Sequence, residues 1–174
     1  MDKTDWKNDI GIQRRFGRKE DERIEFLEQY CKGKGIDIGC GRRAVKGAIS
    51  YDIYPEFKPD VVGSAEKLEA FKDGELDYIV SSHCLEHLND TKKVLKEWDR
   101  VVKVGGLIVI LVPDSELKLT TITEPSHKVG FTINNIYQLF HNYLGYKIVR
   151  CNNPIEMING KNKSDILCIA KKVK

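Results

Sequence analysis

Gly35-Ile36-Asp37-Ile38-Gly39-Cys40-Gly41 is the stretch that decides the fold of this 174-residue chain. A short β-prone run ends there in a glycine turn, and Ile49-Ser50-Tyr51-Asp52 follows as a second apolar run closed by an acid. Strands that end in glycine turns put backbone N–H groups at the carboxyl edge of a sheet, where a ligand approaches without meeting a Cβ. An acid at the end of the next strand can accept hydrogen bonds from both hydroxyls of a ribose.

Apolar runs recur outward from this pair at 36–38, 49–51, 61–62, 76–81 and 107–112, separated by helical or glycine-bearing segments. Such alternation predicts an α/β fold with a mostly parallel sheet and helices on its faces. A leading helix is expected over 20–31, with Ile24, Leu27, Tyr30 and Cys31 at helical spacing. The clearest helix is 90–103, where Val94, Leu95, Trp98, Val101 and Val102 form one stripe and Gly105-Gly106 offers a stop. Thr132 is placed to cap another, with Ile133, Ile136, Leu139, Phe140 and Tyr143 on its apolar face. Strands at 146–150 and 166–170 have no helix between them and should pair as an antiparallel C-terminal hairpin.

The length suits one domain over 19–174, preceded by a polar arm or lid at 1–18 that carries Arg14, Arg15 and Arg18. A formal charge of +3 is well short of the basic stripe of a nucleic-acid binder, so nucleic acid is not indicated as a partner. The five cysteines are dispersed, without a C-x-x-C pair or a histidine at zinc spacing, so they read as reduced thiols and no metal is expected. No apolar run is long enough to span a bilayer and the N-terminus lacks a signal-peptide core, so a cytoplasmic protein is expected.

Five motifs occur in order: DIGCG (37–41), YDIYP (51–55), GSAEKL (63–68), LDYIVSSHCLEHL (76–88) and EWDRVVKVGGLIVILVPD (97–114). Together they resemble the class I S-adenosylmethionine-dependent methyltransferases, most closely the type-11 domain group. The resemblance implies a Rossmann-like three-layer sandwich, S-adenosylmethionine as cofactor and S-adenosylhomocysteine as product. It also implies that Gly39, Cys40 and Gly41 receive the methionine part of the cofactor, with Asp37 behind the turn near its ammonium group. Asp52 would hold the ribose, Ile53 would wall the adenine, and Ser64, Ala65 and Glu66 would meet the adenine edge. Ser82 and His83 would line the methionine end beside the acceptor.

The chain departs from the family pattern in three places. Asp52 lies 11 positions after Gly41, so the usual helix between the first two strands shrinks to a turn. Arg42 and Arg43 replace a further glycine, and Ser64 stands where an aspartate is usual. A serine accepts a hydrogen bond but carries no charge, and it equally suits a cap for a helix over 66–71.

His87 and His127 are the candidate general bases, because imidazole titrates near neutral pH. Each also has a plain structural reading, His87 fixing its loop with Glu86 and His127 exposed in a loop. The sulfonium already activates the methyl group, so placing an acceptor in line matters more than a dyad. A small-molecule or saccharide acceptor is favoured, since SSHC (81–84) stands where nucleic-acid amino methyltransferases carry a base-clamping N-P-P-Y/F segment. Segments 1–18 and 114–130 are expected to close over the site. Two rivals stand beside this reading. Gly39-x-Gly41-x-x-Ala44 formally fits a dinucleotide pattern, although the acid comes too early for it. A non-catalytic module of the same fold would explain Arg42, Arg43 and Ser64.

Overall fold

The computed structural model describes residues 23–117, 124–153 and 164–174. Seven strands form one sheet: β1 (Gly35–Ile38), β2 (Ile49–Asp52), β3 (Val61–Val62), β4 (Leu76–Ser82), β5 (Val102–Pro113), β6 (Lys147–Asn152) and β7 (Asp165–Lys171). Their order is β3-β2-β1-β4-β5-β7-β6. The first five pair in parallel, and β7 runs antiparallel to both β5 and β6, which gives the expected C-terminal hairpin. The carboxyl ends of β1, β2 and β4 lie side by side, where the order reverses between β1 and β4, and a ligand crevice opens at that point.

Alternation along the strands feeds two cores. Ile36, Ile38, Ile79, Ile108 and Ile110 pack with Val94, Leu95, Trp98 and Val101 of α2 (Thr91–Val101) and with Ile136 of α3 (Ile133–Tyr137). On the opposite face Tyr78, Val80, Val109, Leu111, Leu167 and Ile169 pack with Ile24 and Leu27 of the helix α1 over 23–28. The central strands are therefore apolar on both faces, as a sheet covered on both sides requires.

Local chemistry explains the helix ends. Asp90 accepts the Lys93 N–H at the start of α2, and Thr132 and Asn135 form a reciprocal capping box at the start of α3. Helix α3 then runs into a π-helical turn, Gln138–Tyr143, so the helix expected after Thr132 is present in two forms.

Three expectations are corrected. Helix α2 ends at Val101 and β5 starts at once, so Gly105-Gly106 lies inside a strand and stops no helix. The reason is pairing: Gly105 donates its N–H to the Lys172 carbonyl and Gly106 accepts from the Lys172 N–H, while Val102 sits in register with Leu76. The segment 66–71 forms turns and no helix, with Ser64 Oγ accepting the Glu66 N–H. Residues 29–30 form a turn, so the leading helix stops before Cys31. The arm at 1–18 lies outside the described residues, as do 118–123 of the second expected lid.

Candidate active site

At the end of β1 the chain turns through Gly39 at φ +72° and Gly41 at φ +58°, backbone angles that a Cβ disfavours. The Gly39 N–H donates to the Tyr51 carbonyl at 2.8 Å, which ties the turn to β2. A Cβ on Gly39 would lie 2.7 Å from Cys84 Sγ, whereas one on Gly41 would meet nothing within 4 Å. The first glycine is thus needed for packing, and the second leaves its surface open to the crevice.

Asp52 closes β2 and is buried, 5% exposed. Its Oδ2 accepts the Gly41 N–H at 2.8 Å and its Oδ1 the Tyr54 N–H at 2.9 Å. Each oxygen keeps a lone pair, and the carboxylate is fixed in orientation before any ligand arrives. The short turn between β1 and β2 makes this contact, since it brings Gly41 directly against Asp52. Behind it, Asp37 Oδ2 accepts the Val45 N–H at 2.8 Å. Burial pushes the Asp37 carboxyl up to about 7, the Val45 hydrogen bond opposes this, and the Asp52 charge adds to it.

Beyond β3 the chain passes Gly63, whose N–H donates to the Asp52 carbonyl. A Cβ there would lie 2.0 Å from the Tyr51 hydroxyl. Tyr51 Oη in turn donates toward the carbonyls of Ser64 and Lys67, and Trp98 Nε1 donates to the Ala65 carbonyl at 2.8 Å. The two aromatic residues hold segment 63–67 from beneath.

The other end of the crevice follows β4. His83 adopts φ +54°, rare for a residue with a side chain. Its N–H donates to the Leu111 carbonyl, and its ring lies between two buried acids, with Nδ1 3.3 Å from Glu86 Oε1 and Nε2 3.2 Å from Asp165 Oδ2. Burial lowers the His83 imidazole, but the Asp165 and Glu86 carboxylates outweigh it and hold it above its ordinary range. His87 Nδ1 lies 3.2 Å from the Ser126 carbonyl, and its ring meets that of His127 edge to face at 4.8 Å. Burial first, then the neighbouring imidazoles, lower His127 against the pull of Glu86 and Glu124, so it stays neutral at neutral pH. The thiols of Cys40 and Cys84 are pushed up to about 12, chiefly by burial, so neither is a thiolate nucleophile at neutral pH.

Between the two ends lies a cleft of about 730 Å³, within the range of small-ligand sites. Gly39, Gly41, Asp52, Ile53, Ser64, Ala65, Glu66, His83 and His87 all line it. Asp37, Cys40, Ser82 and His127 are not among its lining residues. Sequence reasoning missed the lining residues Tyr54, Phe57, Ser126 and Lys128. The 3₁₀ turn Pro55–Phe57 carries Phe57, beneath the Arg42 guanidinium at 5.6 Å, and Pro55 was its one sequence signal. Glu86 and Asp165 carried no local signal beyond being acids in apolar runs. A second, shallower hollow of about 820 Å³, bordered by Asn89, Asn135, Gln138, Asn142 and Tyr143, is lined largely by neutral groups.

Known proteins share this pattern. The family described as "Methyltransferase domain" matches residues 36–110. An uncharacterised protein of Methanocaldococcus jannaschii is 30% identical over 105 residues, 53% of this chain and 51% of its own. Ajmaline N-methyltransferase of Rauvolfia serpentina is 31% identical over 100 residues, 44% of this chain and 34% of its own. The chain thus spans about half or less of the length of these curated relatives. A SAM-dependent methyltransferase from Archaeoglobus fulgidus superposes with a TM-score of 0.72 at 23% identity, covering 91% of this chain and 96% of that one. No helix among the described residues is long and apolar enough to cross a membrane. Residues 36–110 thus match a methyltransferase domain, and the chain has the Rossmann-like fold of S-adenosylmethionine-dependent methyltransferases.

Proposed function

We propose that the chain transfers a methyl group from S-adenosylmethionine to a small-molecule or saccharide acceptor by in-line displacement, releasing S-adenosylhomocysteine. The observation that carries this reading is Asp52, whose two oxygens are fixed by the Gly41 and Tyr54 N–H groups at the rim of a cleft of suitable size. The cleft fits the cofactor chemically. Asp52 presents acceptors to a ribose diol, Ile53 supplies an exposed apolar wall, and Gly39 to Gly41 leave main chain bare toward an amino-acid group. Ser64, Ala65 and Glu66 border the same space for an adenine edge, while Asp37 anchors the turn through the Val45 N–H.

When bound, the cofactor supplies a methyl group already activated by its sulfonium. The chain then has to hold an acceptor against that methyl, exclude water and accept a proton where the acceptor carries one. His83, with carboxylates on both ring nitrogens, is a positioning residue of the wall. His87 and His127 are the groups at hand to take a proton, and His127 is held neutral and ready to accept it. The likeness to ajmaline N-methyltransferase over part of its length supports a small-molecule acceptor.

The test is a screen with methyl-labelled donor against panels of amines, phenols and sugars, run with wild type and Asp52→Ala. Label entering one chemical class with wild type and lost with the variant is the expected result. Tight cofactor binding with no label in any panel would favour the non-catalytic module instead.

A further inference from the structure

Three of the four histidines of this chain converge on one acid. Ligand atoms of Glu86, His87 and His127 all lie within 4.8 Å of one another, although His127 comes from a loop far along the chain. The loop is sewn to the 3₁₀ turn Leu85–His87 by its backbone, because the Glu86 carbonyl accepts the N–H groups of Lys128 and Val129. We infer that Glu86, His87 and His127 form a binding site for a divalent cation of the zinc class at the acceptor end of the cleft.

Two observations beyond proximity point to a ligand. The Glu86 side chain is 1% exposed, and its Oε2 has no hydrogen-bond partner among the described residues. A carboxylate removed from water needs a cation or donors on both oxygens, and His83 faces only Oε1. Meanwhile His87 Nδ1 donates to the Ser126 carbonyl, which leaves the lone pair on Nε2. That is the usual outer-shell arrangement of a metal-binding histidine. Two imidazoles and one carboxylate make a three-ligand set that leaves a coordination position for substrate, and they suit zinc, cobalt or nickel better than calcium or magnesium.

His87, Ser126 and Lys128 line the cleft, so the cation would sit where an acceptor enters. In this respect the inference rests on the methyl-transfer reading and sharpens it toward oxygen acceptors. A hydroxyl bound to the cation releases its proton to water at lower pH, so with the cation bound His87 and His127 act as ligands and no longer as proton acceptors. Its oxygen then attacks the methyl carbon as the carbon–sulfur bond breaks and the electron pair stays on sulfur.

Cobalt(II) titrated into the reduced protein reports the site without any turnover. The expected result is one equivalent bound with the visible absorption of a nitrogen–oxygen site, displaced by zinc, abolished in His127→Ala and weakened at least tenfold in Glu86→Gln. His127 stands on a surface loop, and an unchanged melting temperature for its variant shows that the loss is local. Cobalt or zinc failing to bind at micromolar metal, binding that survives in His127→Ala, or a thiolate-to-cobalt band that assigns the ion to cysteine would each overturn the inference. Cobalt bound as expected while every acceptor panel fails upholds the site and counts against the methyl-transfer reading alone.

Discussion

At the Gly39 end of the cleft the polar groups are mainly backbone N–H and carbonyl groups around the Asp52 carboxylate, with Ser64 and Glu66 bordering them, all drawn from residues 37–66. At the His83 end they are three imidazoles and two buried acids, drawn from the turn that follows β4, from the loop at 124–128 and from the first residue of β7. The first end is rigid because short contacts between neighbouring segments fix it: Gly41 on Asp52, Gly63 on the Asp52 carbonyl, Val45 on Asp37. The second joins segments far apart in sequence, through backbone bonds from Lys128 and Val129 to the Glu86 carbonyl and through the His83 contacts with Glu86 and Asp165. A cofactor common to a large family suits a backbone-built end, which tolerates sequence change. On the proposed reading the acceptor meets the side-chain end, where the chemistry is free to differ between members.

The comparison breaks most visibly if the backbone end tolerates a side chain. Gly39→Ala places a Cβ at 2.7 Å from Cys84 Sγ in a left-handed backbone conformation. Left-handed strain and overpacking together should cost about 3 kcal/mol in urea unfolding. A loss below about 1 kcal/mol would show that this turn is soft and that its rigidity is overstated.

The two ends should also separate by readout. His127→Ala lies outside the cleft wall, so S-adenosylhomocysteine affinity is expected to stay within about twofold while turnover falls about a hundredfold. Equal losses in both would mean that the ends are one coupled unit and that the division drawn here is wrong.

A smaller effect sharpens the buried part of the cofactor end. Asp37 holds its proton up to about pH 7, well above its ordinary 3.8, because burial disfavours its charge. Between those values the folded state binds a proton that the unfolded chain has lost, so stability falls as pH rises through that window and levels off above it. Asp37→Asn removes this penalty. Its stability relative to wild type should grow steadily from about pH 4 to about pH 7, then stay constant. Urea unfolding across that range checks it, and a difference that shrinks with rising pH would place the carboxylate in a favourable, charge-stabilised setting instead.

How much of this was legible in the sequence follows the same division. Asp37, Gly39, Gly41 and Asp52 are readable because a β-run, a glycine turn and a following acid need only local physics to converge. The mostly parallel sheet and the final hairpin follow from alternation of apolar runs and from the missing helix before β7, whereas the strand order comes from the structure alone. Gly105-Gly106 misled because glycine after an amphipathic helix normally signals a stop, and only tertiary pairing with Lys172 extends β5 through it. Likewise Ser64 reads as a helix cap, yet the turn it caps is shaped by Tyr51 and Trp98 beneath it. At the acceptor end His83, His87 and His127 were each visible singly. Their gathering around Glu86, and the pairing of His83 with Asp165, depend on contacts across most of the chain, for which no spacing rule exists.

On the proposed reading, the prefixed Asp52 carboxylate and the glycine turn beside it form the cofactor site. Calorimetric titration of S-adenosylhomocysteine into wild type and Asp52→Ala tests it most directly. Micromolar binding by wild type, weakened about a hundredfold in the variant as two charge-assisted hydrogen bonds are lost, is the predicted result. No binding to wild type, or equal binding to both proteins, would contradict it.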